Sequence, residues 1–174
     1  MAAATYTDEE RIALQRDCVA EHIALENAPD HNIENVLAKT FATENVFYDI
    51  VPGNAGRLTG NEGVVGFYEM LFAVLPDIHI EIVHQYDVPG CCSLEGVVTG
   101  THSAPFGDIQ PLGKRVSFPF SAMYLFGDDP TKLVAERAYW DNEFLGAQMR
   151  GEIEPPDDYV WTGPNPYSNS YNSR

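Results

Sequence analysis

The stretch AYWDNEFLGAQM, residues 138–149, decides how the rest of the chain is read. Ala138, Tyr139 and Trp140 end a run, Leu133–Trp140, whose residue types suit a pleated, half-buried strand. Phe144, Leu145 and Met149 then recur at helical spacing, so a helix is expected from Asn142 to about Arg150. Asp141 stands at the junction. An aspartate there caps the helix by accepting hydrogen bonds from its first turn. Desolvated by Tyr139, Trp140 and Phe144, it would instead carry a proton near neutral pH.

Working outward, three more strand-like runs lie upstream, at 78–87, 93–102 and Arg115–Phe126, separated by Gly, Pro and Asp turn chemistry. Before them, Thr7 and Glu10 form a capping-box pattern for a helix to about Asn27, with Leu14, Cys18, Val19, Ile23 and Leu25 on its apolar side. A short helix is expected from Asn32 to about Thr40. NVFYDIV, residues 45–51, alternates as a strand and runs into a glycine-rich loop. Thr59 and Glu62 then promise a second capping box, opening a helix that Pro76 closes. Helices followed by consecutive strands indicate an α+β fold with a curved, mostly antiparallel sheet wrapped around the N-terminal helices and a pocket at its open end. The domain is expected to occupy residues 1–151. Residues 152–174, rich in Pro, Asn and Ser, read as a tail whose Tyr159, Trp161 and Tyr167 offer docking points on the pocket or on a partner subunit.

Composition narrows the function. A net charge of −16 and a pI near 4.4 argue against nucleic acid and against anionic membrane surfaces. Three cysteines without CxxC spacing support neither a disulfide framework nor a zinc site. The first residues lack the apolar segment of a secretory leader, and no apolar run is long enough to span a bilayer, so a cytoplasmic location is expected. No metal is expected, because strand parity puts His79 and His84 on opposite faces. The loop GNAGRLTGNEG has neither a P-loop lysine nor GxGxxG spacing.

The order GNEGVVGFYEMLFAVLPDIHIEI, VVTGTHSAPFGDIQPLGKRVSF and LVAERAYWDNEFLGAQMRG resembles the SnoaL-like polyketide cyclases of the cystatin-like superfamily that includes nuclear transport factor two. The elements that carry the likeness are LPD, GTH, the P-x-G-K-x-V turn and an Asp seven residues before a Gln. The resemblance implies a cone-shaped α+β domain with an internal pocket, a homodimer, no cofactor, and an aldol-type ring closure on an apolar carbonyl metabolite. It places the proton-moving acid at Asp141. Tyr124 stands nearest to the position of the family's assisting histidine, and His102 belongs to the GTH element.

Around them, Phe47, Phe67, Phe72, Phe118, Phe120 and Trp140 are expected to build the pocket wall. Strand alternation puts Arg137 on the face of Asp141, an arrangement similar to the Asp–Arg–Asp set of limonene epoxide hydrolases. His22, with Tyr48 or Asp49, is the alternative for a dehydratase such as scytalone dehydratase. A noncatalytic ligand-binding or dimerisation module is the competing class, because fold alone does not decide function.

Overall fold

The computed structural model describes residues 5–50, 56–157 and 159. In chain order the elements are α1 (Asp8–Glu26), α2 (Ile33–Thr40), β1 (Phe47–Ile50), β2 (Gly56–Thr59), α3 (Gly60–Val74), β3 (His79–Val88), β4 (Cys91–Thr101), β5 (Arg115–Phe126), β6 (Leu133–Trp140) and α4 (Asn142–Met149). Six strands form one sheet in the order β2-β1-β6-β5-β4-β3, antiparallel except for the parallel pair β1–β6. The sheet is curved around the N-terminal helices, the architecture expected of a cystatin-like cone.

Helix α1 starts where its sequence says it should. The Thr7 hydroxyl accepts from Glu10 N–H, and the Glu10 carboxylate accepts from Thr7 N–H. Its core stripe, however, is Gln15, Cys18, Val19, His22, Ile23 and Glu26, whereas Leu14 and Leu25 are only partly covered. The stripe follows helical geometry rather than hydrophobicity, so three polar side chains go inside with it. Gln15 is explained by the backbone it fastens: it donates to Val88 O and accepts from Gly90 N–H at the β3–β4 turn.

Helix α3 begins at Thr59 as expected, but the Thr59 side chain makes no capping bond. The segment read as loop before it contains β2, which pairs with β1 from Phe47↔Thr59 to Ile50↔Gly56. Strands β5 and β6 have the predicted bounds. Strand β3 contains a register shift between Ile82 and His84, opposite Gly96 of β4. A Cβ on Gly96 would come within 2.2 Å of Glu81 O and 2.8 Å of Phe120 Cε1. Only glycine admits that approach, and the bulge bends the strands around Phe120.

Amide side chains stand in where strands lack a neighbour. Asn27 accepts from Ile80 N–H and donates to Ile80 O on the edge strand β3. Strand β6 reaches only as far as Phe120 of β5, and beyond that end Gln148 of α4 exchanges both bonds with Ser117. Tyr159 of the tail donates to the same Ser117 carbonyl, while Trp161 and Tyr167 lie outside the described residues. Among the described residues no helix is long and apolar enough to cross a membrane.

Candidate functional site

Between α3, α4 and the concave face of the sheet lies a cavity of about 70 Å³. Since a water needs about 10–15 Å³ by a comparable measure, the space holds a compact group. Phe67, Leu71, Val74, Ile80, Val98, Phe118, Phe120 and Met149 contribute its apolar wall. A neighbouring surface depression shares Met70, Phe106 and Trp140 with this lining, which locates the mouth. The polar groups in the lining are Glu26, Tyr48, Tyr124 and Glu136. Each of these four is buried.

Glu136 reaches the cavity through strand alternation: it shares a face of β6 with Ala138 and Trp140, both of which also line the space. The parallel register places Tyr48 of β1 beside it, and the Tyr48 hydroxyl donates to Glu136 Oε1 at 2.6 Å. Glu26 comes from α1, one turn beyond His22. Behind the carboxylates, His22 Nε2 lies 3.4 Å from Glu26 Oε1 and 3.4 Å from Glu136 Oε2. The Tyr68 hydroxyl is 3.1 Å from the same nitrogen.

The other face of the imidazole fixes its tautomer. Thr40 donates its only hydroxyl proton to Val36 O at 2.6 Å, so its Oγ1, 2.9 Å from His22 Nδ1, must accept from His22 Nδ1–H. Nε2 is therefore the nitrogen that gains or loses a proton toward the carboxylates. Burial works to lower the His22 pKa, but Glu26 and Glu136 outweigh it and push it up to about 10. Burial raises the Glu136 carboxyl, against the opposing bond from His22. His22 thus holds a proton that a free imidazole would release. Burial, reinforced by the nearby carboxylates, raises Tyr48, Tyr68 and Tyr124 well above the usual phenol.

Of the residues singled out from sequence, Tyr48, Phe67, Phe118, Phe120, Tyr124 and Trp140 are in the cavity lining. His22 is buried just behind it, its ring 5.4 Å from that of Tyr124. Asp141 is elsewhere. It is exposed, absent from the lining, and its Oδ1 accepts from Glu143 N–H and Phe144 N–H as the cap of α4. The alternation that turns Glu136 inward turns Arg137 to the opposite face, where it donates to Asp49 beside Arg57. There the Arg57 bond, with Arg137 adding to it, holds the Asp49 carboxyl below the usual range. Phe47 is on that face too, under the Arg57 guanidinium at 4.0 Å, and is not a wall residue.

Phe72 packs against Tyr68 and His31, outside the lining. The His102 ring is buried away from the cavity, and burial lowers its pKa. Its backbone closes the β4–β5 loop, donating to Lys114 O and accepting from Gly113 N–H.

Glu26 and Glu136 are the site residues that sequence reading passed over. Both had a signal. Glu26 stands at i+4 from His22 on the core stripe, and Glu136 occupies an inward position in VAERAYW. With His22 they form the one set among the described residues in which three potential metal-ligand side chains converge.

A curved α+β cone with an apolar cavity beside a buried acid–imidazole cluster has the architecture of the nuclear transport factor two superfamily. The chain belongs to the SnoaL-like polyketide cyclase family, whose model matches residues 14–149. No curated protein sequence matches it. Among solved structures, it resembles a protein of Jannaschia sp. CCS1 assigned to the SnoaL-like polyketide cyclases, with 14% identity, a TM-score of 0.73, and coverage of 87% of this chain and 100% of the other. It also resembles IdmH of Streptomyces antibioticus, assigned to the polyketide cyclases, with 22% identity, a TM-score of 0.62, and coverage of 77% and 96%. A SnoaL-like polyketide cyclase of Agrobacterium tumefaciens matches with 19% identity, a TM-score of 0.60, and coverage of 77% and 96%. At these identities the likeness is one of fold.

Proposed function

We propose that the protein is a proton-transferring cyclase or isomerase acting on an apolar, carbonyl-bearing metabolite, with Glu136 as the group that takes and returns the proton. The observation that supports this most is a buried carboxylate, raised in pKa, in the lining of an apolar cavity. A carboxylic acid serves as base and then as acid when its pKa lies near the working pH. Desolvation moves Glu136 in that direction.

Substrate entering past Met70, Phe106 and Trp140 meets Glu26, Glu136, Tyr48 and Tyr124. Glu136 removes an acidic C–H proton next to the carbonyl, and the electron pair moves onto the carbonyl oxygen as an enolate. Tyr124, whose hydroxyl meets Glu136 before substrate arrives, turns to donate to that oxygen. In a ring closure the enolate carbon then attacks a second carbonyl, and protonated Glu136 delivers its proton to the new alkoxide. His22 acts through the two carboxylates as a positioning residue. A β-elimination of water uses the same base and acid, and the imidazole beside two acids keeps a dehydratase as the second reading.

Proton exchange tests this without knowledge of the substrate. The protein is incubated in deuterated water with single-ring cyclic ketones, and deuterium uptake at the enolisable carbon is followed by NMR. Wild type and Asp141→Asn are expected to exchange alike, and Glu136→Gln to lose about 100-fold or more. Exchange lost in Asp141→Asn and kept in Glu136→Gln would move the acid to the strand end. Binding without exchange would leave a noncatalytic ligand-binding module.

A further inference from the structure

We infer that the cavity floor selects ligands that present a neutral O–H or N–H donor, and rejects carboxylates. This deepens the proposed function and rests on its reading of the cavity as the substrate site, though not on its chemistry. The argument is a balance of donors and acceptors. Four polar side chains reach the cavity: Glu26, Tyr48, Tyr124 and Glu136. The Tyr48 proton is committed to Glu136 Oε1. The Nδ1 proton of His22 is committed to Thr40. Against these stand two carboxylates: Glu136 Oε2 has His22 Nε2 at 3.4 Å, whereas Glu26 Oε2 is buried without a hydrogen-bond partner.

A proton on His22 Nε2, 3.4 Å from one oxygen of each acid, still leaves Glu26 Oε2 unfilled. A protonated Glu136 also leaves Glu26 Oε2 as an acceptor. As long as Glu26 is ionised, its Oε2 therefore remains an acceptor without a donor.

An unpaired buried acceptor is costly, so a ligand that donates to it recovers that cost. A ligand that brings only a further acceptor leaves the oxygen unfilled. A carboxylate ligand adds repulsion in a site that excludes the water to screen it. The substrate head group expected at the floor is thus a hydroxyl, a phenol, or the enol form of a dicarbonyl. Tyr124, whose hydroxyl otherwise meets Glu136, turns to an adjacent carbonyl oxygen. A hydroxyl beside a carbonyl satisfies both.

Single-ring probes suit the cavity, and calorimetric titration of wild-type protein with three of them decides the matter. In 4-fluorotoluene the hydroxyl of 4-methylphenol is replaced by an isosteric atom that cannot donate, while 4-methylbenzoate supplies the anion. The phenol is expected to bind at least about tenfold more tightly than the fluoro compound, despite the greater cost of stripping water from its hydroxyl. The benzoate is expected to bind weakest. In Glu26→Gln, whose amide brings two donors to the floor, the preference for the phenol should fall to about threefold or less.

Equal binding of phenol and fluoro compound, tightest binding by the benzoate, or no binding by any of the three overturns the inference. If Glu26→Gln fails to fold, the wild-type series alone is decisive. Because the readout is binding, an absence of proton exchange in the earlier experiment leaves this result unaffected, and the two failures are distinguishable.

Discussion

Glu136 and Asp141 lie five residues apart on one continuous segment, and their surroundings give them opposite work. Glu136 is in the middle of β6, on its inward face, with Tyr48 donating to one oxygen and His22 Nε2 3.4 Å from the other. Asp141 has just left the strand, where alternation no longer directs its side chain into the core. It is exposed and spends its carboxylate on two backbone N–H groups. One carboxylate is costly to keep charged and is therefore suited to moving protons. The other accepts from the first turn of α4 and is suited to starting a helix.

The strongest way to break this contrast is to remove what holds the buried side together. His22→Gln takes the imidazole from between two carboxylates, and a loss of about 3–5 kcal/mol is expected near pH 6, read by urea denaturation. The pH profile sharpens the point. His22 rises from its ordinary 6.5 to about 10 in the folded state, so the folded protein binds this proton more tightly than the unfolded chain. That stabilisation is fully present below 6.5 and fades as the pH climbs to about 10. Glu136, also raised, contributes with the same sign from its ordinary 4.5 upward. Wild type should therefore lose stability across this alkaline range, and His22→Gln should show a flatter profile.

The next effect concerns α4. Gln148→Ala strips Ser117 N–H of its partner in the interior, and a cost of about 1–3 kcal/mol is expected in the same assay. Asp141→Ala should cost less, about 1 kcal/mol, the usual value of a helix cap, and should leave proton exchange unchanged. A large loss of exchange with little loss of stability would reverse the comparison. The smallest effect belongs to Arg137→Ala. Its pairing with Asp49 is on the half-exposed face of the sheet, where such bridges contribute about 0–1 kcal/mol. Probe binding in the cavity should be untouched.

Much of the fold can be read along the chain. The capping box of α1 and the bounds of β5 and β6 follow from local propensity and alternation, which act over a few residues. Strand β2 escaped because four residues of glycine-rich sequence carry no pattern of their own; they become a strand only because β1 offers an edge. The aromatic part of the cavity was readable for a similar reason, since Phe118 and Phe120 must share a face. Phe47 and Arg137 went the other way because the inward parity of β1 and β6 belongs to Tyr48 and Glu136.

By itself the sequence determined the class of fold, the order of its elements and the apolar character of its pocket, because these rest on periodicity and turn chemistry between near neighbours. Only the tertiary structure decided which acid faces the cavity. His22 and Glu26 share one helix, but Glu136 is 110 residues beyond Glu26, and Tyr48 lies on a strand that meets β6 only through a parallel pairing. Nothing local marks those residues as partners. The shifts of His22, Glu136 and Tyr48 exist because the sheet curls over α1 and buries these groups beside one another.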